Sequence, residues 1–163
     1  DTNGGRAALN HDRHHGANAN RSKNRQQRHM PIYRLTIETL KKAIEKEIPT
    51  FGICFGNQLL ALAAGADTYK LKYGHRSQNQ PCLMTGTKKC FITSQNHGFA
   101  VDEKTLPGNW EPWFTNLNDG TNEGIRHKSK PFMSVQFHPE ATPGPVDTAF
   151  LFDEFVKIVK ECK

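Results

Sequence analysis

A cysteine between two glycines, Gly52-Ile53-Cys54-Phe55-Gly56, lies where an apolar strand gives way to a helix, and it constrains this chain more than any other stretch. Pro49-Thr50-Phe51-Gly52-Ile53 reads as a short buried strand, and Asn57-Gln58-Leu59-Leu60-Ala61-Leu62-Ala63-Ala64 reads as a helix closed by Gly65. A side chain at such a junction projects from a tight, strained turn above a sheet. The backbone there bends sharply and packs closely, so a β-carbon on either side is expected to find no room. A thiol at the start of a helix also faces the free N–H groups of the first turn, which favour thiolate and can hold a developing oxyanion. The plainer alternative is that Cys54 is a small buried core residue.

A nucleophilic cysteine needs a base, and His138-Pro139-Glu140 follows the strand-like run Phe132-Met133-Ser134-Val135-Gln136-Phe137. Residues two apart in extended chain point to the same side, so His138 and Glu140 can be neighbours while Pro139 stiffens the link. The carboxylate would fix the imidazole's tautomer, and the imidazole would take the thiol proton and return one to a leaving group. A surface turn ending a strand is the alternative.

Around these motifs the pattern is that of an α/β domain. Ile37, Leu40, Ile44 and Ile48 recur at helical spacing, with Glu38 and Lys42 paired on the other side, which predicts a helix over 36–48 stopped by Pro49. Strands are expected near 66–72, 90–93, 99–102, 113–117 and 132–138. A last helix is expected over about 147–160, with Asp147 as its cap and Phe150, Leu151, Phe155, Ile158 and Val159 as its apolar stripe. A sheet covered by helices, with the reactive residue at the carboxyl end of a strand, fits this order.

Residues 1–30 differ in composition. They hold six Lys or Arg against two Asp, with four His, five Asn and few large apolar residues, so most of the chain's formal charge of +6 is a property of this stretch. It is expected to be an atypical basic leader that stays disordered, unable to bury enough apolar surface to offset ordering entropy. It lacks stacking aromatics and ligand-spaced cysteines, so nucleic-acid and metal binding are not expected. The 133 residues from Pro31 suit one domain. No apolar run approaches the ~20 residues of a membrane span, and no membrane association is expected. Cys54, Cys82, Cys90 and Cys162 form neither C-x-x-C pairs nor a disulfide framework, which fits a reducing compartment.

Elbow, histidine and glutamate, in that order, bring residues 31–163 to a family. More specific are Ser94-Gln95-Asn96-His97-Gly98-Phe99-Ala100-Val101-Asp102, Asn118-Asp119-Gly120-Thr121-Asn122-Glu123-Gly124-Ile125, Tyr73-Gly74-His75-Arg76 with Asn79-Gln80-Pro81, and Pro143-Gly144-Pro145-Val146-Asp147-Thr148. On these blocks the chain resembles the class I glutamine amidotransferase domain of glutamine-dependent carbamoyl-phosphate synthetases of eukaryotic type. Other class I enzymes, such as those serving GMP or anthranilate synthesis, share the triad but not the blocks at 118–125 and 143–148.

The resemblance implies an open, mostly parallel, flavodoxin-like sheet with helices on both faces, in which the family's strands before the elbow have no recognisable counterpart here. It implies a triad of Cys54, His138 and Glu140, an oxyanion N–H from Phe55, and substrate contacts by Gln58, Asn96, Gly98 and Phe99. The family's second oxyanion donor, in Asn-Gly-Pro-Gly-Asp-Pro, aligns without gaps onto Arg25-Gln26-Gln27-Arg28-His29-Met30, where the glycines are missing. The implied reaction is hydrolysis of L-glutamine through a glutamyl thioester, with ammonia passed to a carbamoyl-phosphate synthetase portion. No cofactor is implied in this domain; ATP, bicarbonate and Mg would serve the synthetase. A cytoplasmic location is expected, with a mitochondrial one as the alternative. The competing reading is a catalytically impaired fragment or partner-binding module of the same family.

Overall fold

Short connections decide half of the strand pairings. The structure is a computed structural model that describes residues 31–141 and 144–162. Its elements are α1 (Pro31–Glu45), β1 (Thr50–Ile53), α2 (Phe55–Ala64), β2 (Asp67–Met84), β3 (Cys90–Asp102), a 3-10 turn (Glu103–Thr105), β4 (Trp110–Asn116), β5 (Asn122–His127), β6 (Phe132–Val135) and α3 (Phe150–Glu161). A few residues join β2 to β3, β4 to β5 and β5 to β6, and each pair is antiparallel, as short loops require. β1 and β6 are distant in sequence and pair in parallel, Thr50 opposite Phe132 and Ile53 opposite Val135. The order is β1-β6-β5-β3-β2-β4, and β4 also pairs with β5, so one side of the sheet curls back on itself.

The α/β class therefore holds, whereas the expected mostly parallel sheet does not. Among the described strands β1–β6 is the one parallel pairing; three of the five antiparallel pairs are joined by loops too short for a crossover.

Alternation along the strands splits the core into two layers. Phe132 joins Leu60 and Ala61 of α2, Val101, Trp110 and Ile125 on one face, where Ile44 of α1 packs against them. Its neighbour Met133 turns to the opposite face and joins Phe114, Val135, Phe137 and Leu151, under Phe155 and Ile158 of α3. Helices thus cover both faces. Phe114, Phe132 and Phe137 are fully buried, each stabilising the fold by roughly 1.5–3 kcal/mol.

Several local expectations shift. α1 ends at Glu45 rather than 48, because Glu47 takes φ 52 and turns the chain so that Thr50 can meet Phe132. Glu38 pairs with Lys41 at 2.9 Å, not with Lys42. Asp147 does not cap α3; its Oδ2 accepts from the Ile92 N–H at 3.2 Å, and α3 starts after Ala149 without a side-chain cap. Val159 is exposed, outside the apolar stripe. Gly65 closes α2 as expected, at φ 101, with its N–H reaching the Ala61 and Leu62 carbonyls. The expectations for residues 1–30, including the leader and the glycine-free run at 25–30, lie outside the described residues.

Candidate active site

Parallel pairing brings the two strand ends that carry the candidate residues to the same end of the sheet. Cys54 follows the last residue of β1 and His138 stands three residues beyond the last of β6, both at the carboxyl ends of adjacent strands. The Cys54 N–H donates to the Val135 carbonyl at 2.9 Å, so the elbow is anchored to β6. Cys54 adopts φ 53 and ψ −104, a conformation that costs a non-glycine residue about 1–3 kcal/mol and is held only where the surroundings over-determine it. The turn also packs tightly at Gly52, where a β-carbon would lie 2.7 Å from the Gly56 carbonyl oxygen. Gly56 itself has open space around a built β-carbon, so the expected crowding applies on one side of the cysteine only.

Strand β3 contacts the His138 backbone and the Cys54 side chain. The Ser94 carbonyl accepts the His138 N–H at 2.9 Å, and the Cys54 thiol points at the Asn96 carbonyl, 4.0 Å away. Residues two apart on one strand thus address the histidine and the cysteine. His138 Nδ1 and Glu140 Oε1 are 2.8 Å apart. A carboxylate oxygen accepts, so Nδ1 is the donor in that contact and the ring is oriented by Glu140.

Burial pushes the Cys54 thiol up from its ordinary range; the Phe55 N–H pulls it down, and the Glu140 charge pushes it up again. The expectation of a favoured thiolate is therefore corrected. One N–H at the helix start does not offset lost hydration plus a nearby carboxylate, and the thiol keeps its proton until a base removes it.

The expected substrate residues divide. Gln58 is buried, and its Nε2 donates to the Phe99 carbonyl at 3.4 Å and to Gln136 Oε1 at 3.3 Å, tying α2 to β3. Asn96 is exposed beside Cys54, and Phe55 is 41% exposed with its ring against Tyr33. Gly98 faces the turn at Gly74 of β2. Residues 96–99 do not form a turn between strands: β3 runs through them without a break.

Residue-by-residue reading missed two features. One is Gln136, fully buried beneath the elbow. The other is a polar cluster built from the family blocks. His75 Nδ1 lies 2.7 Å from Gln95 Oε1 and 3.0 Å from Glu123 Oε1, and its Nε2 lies 2.8 Å from Asp119 Oδ2. His97 packs edge-on against His75, with Nδ1 2.9 Å from the Phe99 carbonyl. The spacing of these polar residues gives no clue to their meeting, since β2, β3 and β5 contribute one part each.

The Glu123 hydrogen bond, with help from Asp119, raises His75 to about 9 against the cost of burial, while burial lowers His97 to about 4. A raised folded-state value means the folded protein holds that proton more tightly. The His75 contribution is thus complete below about pH 6.5 and is lost as pH rises through about 9. For His97 the sign is opposite: stability falls as pH drops from about 6.5 to about 4. Urea unfolding is expected to show greatest stability near neutrality, and His75→Gln is expected to flatten the alkaline limb. An unchanged alkaline limb in that variant would contradict the assignment.

Comparison with known proteins agrees with this geometry. The family described as glutamine amidotransferase class-I matches residues 21–158. The chain is 59% identical over 128 residues to the arginine-specific small chain of carbamoyl phosphate synthase from Debaryomyces hansenii, covering 77% of this chain and 30% of that protein. It is 58% identical over 130 residues to the multifunctional protein CAD of Squalus acanthias, covering 78% of this chain and 6% of that one. Among solved structures, a glutamine amidotransferase from Thermotoga maritima shares the fold at TM-score 0.59 and 23% identity, over 82% of this chain and 62% of that one. The chain spans less than a third of the curated relatives it matches. With its elbow cysteine and its histidine–carboxylate pair set at the ends of adjacent strands, this chain belongs to the class I glutamine amidotransferase family.

Proposed function

We propose that this chain is the glutaminase part of a carbamoyl-phosphate synthetase. The observation that carries the reading is the placement of Cys54 and the Glu140-oriented His138 at neighbouring strand ends, bracketed by Asn96 and Ser94. His138 Nε2 takes the thiol proton as sulfur attacks the side-chain amide carbon of glutamine. The tetrahedral oxyanion accepts the Phe55 N–H, and the imidazolium, steadied by Glu140, returns its proton to the departing nitrogen. Ammonia leaves and a glutamyl thioester remains on Cys54. Water, deprotonated by His138, then attacks the thioester; glutamate leaves and the thiol is restored. Asn96, whose carbonyl lies 4.0 Å from the thiol, holds the amino-acid end of glutamine together with Gly98 and Phe99, and Gln58 fixes the Phe99 carbonyl.

This step uses no cofactor. Ammonia is delivered to a synthetase portion or subunit that consumes ATP, bicarbonate and Mg. Support for that partner comes from the relatives, which are a small chain of the synthetase and multifunctional proteins. The test is glutamate release from glutamine by the full-length protein, blocked by a glutamine-like chloroketone that alkylates Cys54. Binding to a synthetase without turnover would instead make the domain a partner-binding module.

A further inference from the structure

We propose that Gln136 is a positioning residue for the nucleophile: its buried carboxamide locks the strained elbow through the Cys54 carbonyl and presents a second N–H to the sulfur. The proposal rests on Cys54 being the nucleophile. Gln136 follows β6 directly, is 0% exposed, and donates its backbone N–H to the Glu123 carbonyl at 2.8 Å. Its Nε2 donates to the Cys54 carbonyl at 3.2 Å and lies 3.8 Å from Cys54 Sγ. Its Oε1 accepts from Asn57 Nδ2 at 3.2 Å and Gln58 Nε2 at 3.3 Å.

The orientation of this amide follows from its neighbours. Ser134 Oγ donates to Asn57 Oδ1 at 2.8 Å, which fixes the Asn57 oxygen toward β6 and turns its NH2 toward Gln136. Gln58 Nε2 donates to the Phe99 carbonyl as well, so it too presents a donor. Both donors meet Gln136 Oε1, and its NH2 is left to face Cys54. A flipped amide would set an oxygen against the Cys54 carbonyl and a donor against two donors.

Each part of this arrangement bears on the thiol. The bond to the Cys54 carbonyl holds a backbone conformation that the residue would not adopt unaided. The second N–H gains strength as charge builds on sulfur, because a donor to an ionised acceptor is roughly twice as strong as one to a neutral acceptor. Gln58 carries the link onward to Phe99, so one chain of amides connects the substrate strand to the nucleophile.

The test uses the full-length protein and the isosteric change Gln136→Glu, with Gln136→Leu as a second variant. Iodoacetamide alkylation of the Cys54 peptide is followed by mass spectrometry across pH, beside kcat and KM for glutamine. Each variant is first shown to unfold in urea with a cooperative transition, because misfolded chain would also react, with the midpoint of a free thiol, about 8.5. The Glu variant sets a carboxylate beside sulfur, and its midpoint is expected to rise by about one pH unit or more. The Leu variant is expected to move it the same way by less. kcat should fall about 100-fold or more, with KM changed far less, as for loss of one preorganised donor. Midpoints within about 0.3 unit of the parent in both variants would overturn the proposal. Because alkylation needs no glutamine, that outcome is separate from failure of the parent protein to deamidate glutamine, which would overturn the glutaminase reading instead.

Discussion

Cys54→Ser is expected to abolish glutamate release from glutamine, with kcat reduced by about 10⁴-fold or more, while a synthetase portion in the same protein still uses added ammonia. The substitution keeps the shape of the elbow and removes the one atom able to form the thioester. A serine hydroxyl in the same half-buried place, beside the Glu140 charge, is far harder to ionise than a thiol that burial has already pushed up. The His138–Glu140 pair and the Phe55 N–H would remain but would have no nucleophile to serve. Steady-state assays with glutamine and with ammonium, run in parallel, separate loss of the glutaminase from loss of the fold. Retained glutamine hydrolysis would contradict the assignment of Cys54.

Gly52→Ala is expected to lower both activity and stability, by a different route. The added methyl would sit 2.7 Å from the Gly56 carbonyl oxygen and 3.1 Å from the Asn57 nitrogen, both backbone atoms of the first turn of α2. Neither can swing aside as a flexible side chain would, so β1 and α2 must separate. Overpacking of this kind costs roughly 1–3 kcal/mol. The shift also moves Cys54 off the Val135 carbonyl and away from Asn96. Misplacing a reacting atom by about 1 Å can cost around 100-fold in rate, so activity should fall further than stability. Gly56→Ala is the matched comparison: a β-carbon there meets nothing within 4 Å, and stability should hold or increase by up to about 1 kcal/mol. Equal denaturation midpoints for the two variants would contradict the crowding argument.

What could be read from the chain alone was local. The elbow strand, the helix after it and its Gly65 cap depend on residues within a few positions of one another, and the structure places them as expected. The motifs supplied the pieces of the candidate site: the Cys54 thiol points at the Asn96 carbonyl, and His138 pairs with Glu140. Long-range pairing was not legible. Nothing in residues 96–99 distinguishes a polar turn from strand, since their extended form is imposed by β2 on one side and by Gln58 on the other. Gln136 looked like one residue of an alternating strand, although both ends of its carboxamide are spent on the elbow and the helix after it. The His75–Glu123 contact draws on two strands more than forty residues apart. The helix-dipole argument for a thiolate failed for the same reason: it weighed the adjacent N–H groups and not the burial and the Glu140 carboxylate that the fold adds.

The reaction's covalent intermediate provides the most direct measurement. Full-length protein mixed with glutamine, quenched in acid within the turnover time and digested, should yield the peptide containing Cys54 with a glutamyl group attached through sulfur, and Cys54→Ser should yield none. Glutamate released at an undiminished rate with that peptide unmodified, or with Cys54 already blocked by alkylation, would contradict the account.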